Sequence, residues 1–243
     1  MLWLLSVLRS AIFYLIYVSG TLLIALVFFS LVFFTPKRFR HHFYLTWCQF
    51  TLVSLKAICG IRWEISGLDN IPEQPVVVLS NHQSGWETFF LYKLLFPVCP
   101  ILKKELLDIP VWGWALRVQN PIAIDRAKPR EASRSILTQG VERIHEGMSI
   151  IIFPEGTRTP PGKYKKFSRG GAKLAIAAHS PLLPVAHNAG HYWPAHKFIK
   201  HPGTVKVVIG KPLNTTKGDD SELTAVAETW IRQQLTEINS PAM

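Results

Sequence analysis

Between Arg9 and Lys37 the chain carries no charged residue. The heart of that interval, AIFYLIYVSGTLLIALVFFSLVFF, is apolar for longer than the roughly 20 residues a membrane helix requires. A cleaved signal peptide would be shorter and would end at a small-residue site, whereas this run ends in VFFTPKRFR and is expected to be retained. Lys37, Arg38 and Arg40, with His41 and His42 beside them, form a basic collar suited to an anionic, cytoplasmic membrane surface. The remainder of the chain is therefore expected on the cytoplasmic face.

The following stretch, FRHHFYLTWCQFTLVSLKAICG, places Phe43, Trp47, Phe50, Ser54 and Ile58 at helical spacing. It reads as an interfacial amphipathic helix, as the returning arm of a hairpin that never fully crosses the bilayer, or as a helix covering the core of the domain. The chain thus divides into anchoring helices over residues 1–60 and a domain over residues 61–243. At 243 residues in total there is room for one sizeable core and an appendage.

Charge limits the partners. Lys and Arg number 27 against 16 Asp and Glu, a net +11, which favours anionic lipid, phosphorylated metabolites or nucleic acid. No helix-turn-helix, zinc-finger or RNP pattern supports nucleic acid. Cys48, Cys59 and Cys99 are odd in number and widely spaced, with no CxxC pair, in keeping with a reducing compartment.

From residue 62 to 215, β-rich runs (RWEIS, PVVVLS, PIAI, MSIIIF, PLLPVA, TVKVVIG) alternate with helical stretches such as PREASRSILTQGVERIHEG and SRGGAKLAIAAH. That alternation predicts an α/β fold, a mixed sheet flanked by helices, with its chemistry on loops at strand ends. A last helix follows NTTKGDD, with Asp220 or Ser221 as its cap.

Four segments at strand ends carry reactive side chains. In NHQSGWE, His82 and Glu87 stand five apart. An imidazole can take a proton from a hydroxyl, and a carboxylate on its other nitrogen fixes the tautomer and raises its basicity. On spacing alone the two are equally a charge pair at a helix start. Ser84 lacks the GxSxG nucleophile elbow, and no HExxH zinc pattern is present. Lys103, Lys104, Arg117 and Arg126 follow, then FPEGTR with Arg158 and a basic loop leading to glycines at a helix start. Singly these cations are ordinary surface residues or mobile-loop residues; backbone N–H groups and a fixed guanidinium also suit a phosphate monoester. The apolar run IPVWGWAL reads either as an acyl channel or as plain core. His187, His191 and His196 receive no role, because Gly190 and Pro194 argue against a metal-binding helix.

Taken together, the four segments resemble the glycerolipid acyltransferase family, most closely its 1-acylglycerol-3-phosphate acyltransferases. The first block, His, four residues and an acid, is His82 to Glu87, with Glu where Asp is commoner. The second is met at every interval by Lys103, Leu106, Gly113 and Arg126; the third is FPEGTR at Phe153 to Arg158; the fourth is LLPVAHNAG around Pro184.

The resemblance implies transfer of an acyl chain to the sn-2 hydroxyl of lysophosphatidic acid, forming phosphatidic acid in phospholipid synthesis. It implies His82 as general base oriented by Glu87, Lys103, Arg126 and Arg158 on the acceptor phosphate, and Glu155 and Gly156 at the glycerol end of the pocket. No cofactor or metal is expected; acyl-CoA or acyl carrier protein is the thioester co-substrate, and the bilayer, by this resemblance the bacterial inner membrane, is the partner. A lyso-aminolipid or lysophosphodiester acceptor, or a noncatalytic membrane-tethered binder of anionic lipid, are the alternatives.

Overall fold

The computed structural model describes residues 2–32, 34–117, 120–125 and 127–240. Helices α1 (Leu2–Leu31) and α2 (Lys37–Ser54) open the chain, and a π-helical turn, Leu55–Cys59, leads into strand β1 (Ile61–Ser66). Then come β2 (Val77–Ser80), α3 (Trp86–Leu94), β3 (Val98–Cys99), β4 (Ile101–Lys103), α4 (Trp112–Arg117) and β5 (Ile122–Ile124). The chain closes with α5 (Pro129–His145), β6 (Ser149–Ile152), α6 (Gly170–Ala177), β7 (Leu182–His187), β8 (Gly203–Ile209) and α7 (Asp220–Asn239). Each of the six strand runs read from the sequence is a strand. The short strands β3 and β4 were not anticipated.

Six strands form one sheet in the order β1-β8-β7-β2-β6-β3, parallel throughout except for the antiparallel β7 and β8 pair; β4 and β5 pair separately, in parallel. The sequence of β2 shows why it sits at the centre. Val76 and Val78 face one hydrophobic cluster and Val77 and Leu79 the other, so every position is buried and the strand reads as an unbroken apolar run. One cluster lies under α2 and α3, the other under α5, α6 and α7. β7, β2 and β6 are parallel neighbours, with Leu79 beside both Pro184 and Ile152. Their carboxyl ends therefore meet at one edge of the sheet, where open α/β sheets gather their ligands.

α1 and α2 form an antiparallel hairpin. Phe28 meets Phe43 at 4.3 Å between ring centroids, Trp47 Nε1–H donates to Thr21 Oγ1, and the Phe50 ring sits where a side chain on Gly20 would have to be. The hairpin also belongs to the domain core. Phe13 is fully buried, Lys200 N–H donates to Ser10 Oγ, and Phe29 packs on Trp114. At ~1.5 Å per residue, contacts from Ser10 to Phe29 cover ~28 Å of α1. The opposite flank is apolar and open, with Leu15 72% and Leu23 62% exposed. Two of the three sequence readings of α2 hold together: it is the arm of a hairpin and at the same time covers the core. The side chains of Lys37 and Arg38 in the basic collar lie outside the described residues; Arg40 Nε–H donates to the Thr35 carbonyl.

The cap of α7 is Asp219, one residue before the expected Asp220 or Ser221. Its backbone is extended, and Oδ1 accepts from both Ser221 and Glu222 N–H, a geometry open only to the first of the two aspartates.

Candidate active site

β2 ends at Ser80, and the residues Asn81 to Gly85 turn the chain into α3. Glu87, in the first turn of that helix, points back under the turn that precedes it. One oxygen, Oε1, accepts from His82 Nδ1 at 2.8 Å, Gln83 N–H at 2.8 Å and Ser84 N–H at 2.7 Å. The carboxylate is fully buried. Burial alone would raise its pKa, but the nearby His187 and His82 rings, with the bonds from His82 and Ser84, hold it below the usual carboxylate value. Glu87 therefore stays ionised, and its five-residue spacing from His82 is the span of this turn. The longer Glu side chain reaches the imidazole without difficulty.

With Nδ1–H given to Glu87, the other nitrogen of His82, Nε2, carries the free lone pair. The ring lies flat on Phe153, 4.1 Å between centroids and 14° from parallel, and lines a cavity of about 430 Å³. Ile101, Leu102, Ile124, Ile136, Ile151 and Phe153 supply most of the apolar wall.

FPEGTR leaves the end of β6 and is laced to the same turn from the other side. Thr159 N–H donates to the His82 carbonyl at 2.7 Å, Arg158 Nε–H to the Ser84 carbonyl at 2.9 Å, and His82 N–H to Glu155 Oε1 at 3.2 Å. Burial pushes the Glu155 pKa up. Gly156, in the left-handed region at φ +71°, lines the cavity; Glu155 instead lies beneath the His82 backbone.

The fourth block holds the turn from below. His187, at the end of β7, is fully buried and interlocks with Asn81: Asn81 Nδ2 donates to the His187 carbonyl, His187 N–H donates to Asn81 Oδ1, and the ring Nε2 lies 2.8 Å from the Asn81 carbonyl. Ala189 N–H donates to Nδ1, so the ring is neutral with its proton on Nε2, and burial pushes its pKa down in agreement. Gly190 N–H reaches Gln83 Oε1. Asn81, Gln83, Thr159 and His187 were missed because three of them act through backbone groups; a histidine closing a wholly apolar strand was the available signal.

The structure thus brings together His82, Glu87, Glu155, Gly156 and Arg158. Lys103, at the end of β4, is exposed, its Nζ 4.0 Å from Glu105, although its neighbours Ile101 and Leu102 line the cavity. Arg126 lies outside the described residues. The run IPVWGWAL does not line the His82 cavity: Trp114 packs on Phe29, while Ala115 and Leu116 face Phe28 and Phe43. Through these residues the run packs on the hairpin, with Ile109 and Trp114 still 43% and 46% exposed, and the apolar wall described for the cavity comes from β4, β5, α5 and β6. Among the described residues, no group of three His, Cys, Asp or Glu side chains is placed to hold a metal.

A family model described as Acyltransferase matches residues 62–188. The chain is 44% identical over 236 residues, 95% of its own length and 91% of the other, to the 1-acyl-sn-glycerol-3-phosphate acyltransferase of Pseudomonas aeruginosa. It is 31% identical over 211 residues to a chloroplastic 1-acyl-sn-glycerol-3-phosphate acyltransferase of Brassica napus, covering 83% of this chain and 60% of that longer one. The crystal structure of the 1-acyl-sn-glycerophosphate acyltransferase PlsC from Thermotoga maritima superposes with a TM-score of 0.83 over 100% of both chains at 23% identity, a likeness of fold.

Proposed function

The chain belongs to the acyltransferase family, and on that premise we propose that it transfers an acyl chain from a thioester to the sn-2 hydroxyl of 1-acylglycerol-3-phosphate, forming phosphatidic acid. The observation that carries this reading is the His82 ring, held through Nδ1 by Glu87 at 2.8 Å and lining an apolar cavity.

His82 Nε2 takes the proton of the acceptor hydroxyl as that oxygen attacks the thioester carbonyl. The ionised Glu87 stabilises the imidazolium that forms. Collapse of the tetrahedral intermediate breaks the C–S bond, and the imidazolium returns its proton to the departing sulfur. One ester and one thiol result, with no acyl-enzyme. The apolar cavity takes the acyl chain of the donor, which is acyl-CoA or acyl carrier protein. Arg158, tied to the turn through Nε, keeps its terminal N–H groups for the acceptor phosphate. Lys103 and Arg126 complete the cationic set read from the sequence, and Gly156 leaves room at the glycerol end.

The open apolar flank of α1 meets lipid in this reading. Because the domain covers the other flank from Ser10 to Phe29, a bilayer that receives α1 also brings the site to the lipid surface. The basic collar puts that surface on the cytoplasmic side, in a bacterium the inner membrane.

Purified protein given acyl-CoA and 1-acylglycerol-3-phosphate is expected to release thiol and form phosphatidic acid in equal amounts. His82→Ala should lower turnover by about 100- to 10,000-fold with the fold retained by circular dichroism. Thiol release that ignores the acceptor, or parental turnover in His82→Ala, would overturn the reading.

A further inference from the structure

The net charge of this protein is confined to one interval. Residues 156–218 contain 11 Lys and Arg and no Asp or Glu, so the whole of the formal +11 resides there and the remainder of the chain is balanced. Some of these cations are neutralised from outside: Arg169 and Lys173 lie 3.6 and 3.7 Å from Asp220. Arg158 and Lys197 have no carboxylate within ion-pair distance among the described residues, and both line one cleft.

That cleft, about 390 Å³, opens between α1 and the segment after β7, with Tyr14, Gly85, Arg158, Trp193, His196 and Lys197 in its lining. Three features mark it as a place for an anion beside the reaction centre. First, it reaches the catalytic turn: Gly85 lies three residues after His82, and Arg158 is bonded to Ser84 between them. Second, His196 is held at φ +59°, a left-handed conformation uncommon for a residue other than glycine, with its side chain on the cleft. Third, a buried cation stands behind the aromatic wall. Lys200, 1% exposed, places Nζ 3.7 Å from the Tyr14 ring centroid and 4.8 Å from that of Trp193, and donates to the Phe198 carbonyl. No carboxylate pairs with it among the described residues. Burial pulls its pKa down to about 8, while the ring faces favour the ammonium. An ammonium without a counter-ion leaves the cleft above it positive.

We infer that this cleft binds the phosphate end of the acceptor, with Lys197 and His196 joining Arg158 as its ligands. The inference rests on the acyl-transfer reading and deepens it. The cleft and the apolar cavity both reach the same turn, Gly85 and Arg158 lining one, His82 and Gly156 the other. An acceptor seated by its phosphate against Arg158 is anchored within a few residues of the base. Tyr14 belongs to the apolar helix α1, so the cleft is also open to a lysolipid whose tail remains in the membrane.

The test measures initial rates of the full-length protein against 1-acylglycerol-3-phosphate with one acyl-CoA donor. Lys197→Ala and His196→Asn, the latter chosen because Asn tolerates the left-handed backbone, should each raise KM for the acceptor about five- to tenfold, the scale of one charge-assisted hydrogen bond at a rim. The donor KM and kcat should move by less than about twofold. Lys197→Arg should restore most of the loss, and Lys211→Ala, removing an exposed charge from the same interval, should change nothing. sn-Glycerol 3-phosphate should compete with the acceptor in the parent and more weakly in Lys197→Ala; inorganic phosphate competing equally well in both would mark a general anion effect and overturn the assignment. An unchanged acceptor KM in both variants, with the parent still forming phosphatidic acid, overturns the cleft and leaves the acyl-transfer reading standing. A parent that ignores the monoester overturns both.

Discussion

Two clefts of similar size, about 430 and 390 Å³, reach one histidine turn, and they differ almost wholly in lining. The first is walled by isoleucines and leucine from β4, β5, α5 and β6; the second by aromatic rings and cations from α1, FPEGTR and the segment after β7. Volume does not tell them apart. Chemistry does: the first suits a hydrocarbon chain, which gains from leaving water, and the second suits a dianion, which needs donors. The turn between them is built unlike either. Its side chains are buried and fixed by hydrogen bonds from three strand ends, which suits the proton transfer proposed for it, where one geometry must serve two substrates.

If the turn serves both clefts, damage to it should not discriminate between substrates. Glu87→Gln removes the charge that stabilises the imidazolium and replaces one acceptor oxygen with an NH2 group, so kcat should fall on the order of 100-fold or more, equally for long and short donors. Glu87→Asp should fall less, since the charge remains but must reach farther. A loss confined to one donor length would break the comparison at its centre.

Damage to the cationic side should be selective. Arg158→Ala is expected to raise acceptor KM by roughly tens of fold, with Arg158→Lys recovering only part because it lacks the planar fork. The preference for a monoester over a lysophosphodiester acceptor should shrink in parallel, as rates on the two acceptors would show.

On the apolar side, Ile136→Trp shortens the cavity. Rates with a ladder of acyl-CoA chain lengths should shift toward shorter donors, by about tenfold between the extremes, with acceptor KM unmoved. An unshifted ladder would place the donor chain elsewhere.

The smallest effect concerns stability. His187 has a folded-state pKa below its unfolded value near 6.5, so the unfolded chain binds the proton first on acidification. Its contribution is complete above about pH 6.5 and is lost as pH falls. Glu87, with its folded pKa below 4.5, loses its contribution only at lower pH. Melting in detergent should therefore decline from pH 7 to 5, and His187→Gln, though less stable, should flatten that slope. An equal slope in the variant would remove His187 as the cause.

What the sequence disclosed and what it hid follow from the range of each interaction. His82 and Glu87 were legible because their bond closes within one turn. The strands were legible from apolar runs, but not that β7, β2 and β6 are neighbours, since pairing is set by packing across a hundred residues. IPVWGWAL carried two readings because an apolar run does not say what it packs against; here it is the hairpin. Lys200 lay beyond any local pattern, its aromatic surroundings coming from residues 13, 14 and 193.

The separateness of the two proposed recognition sites at the His82 turn is tested most directly by a double-mutant cycle. kcat/KM would be measured for the parent, Arg158→Ala, Ile136→Trp and the double variant, with one long-chain acyl-CoA and 1-acylglycerol-3-phosphate. Independent clefts predict that the two losses multiply, with a coupling within about 0.5 kcal/mol. A coupling well beyond that, or a double variant no worse than the weaker single one, would mean that both substitutions act on one shared site and would contradict the account.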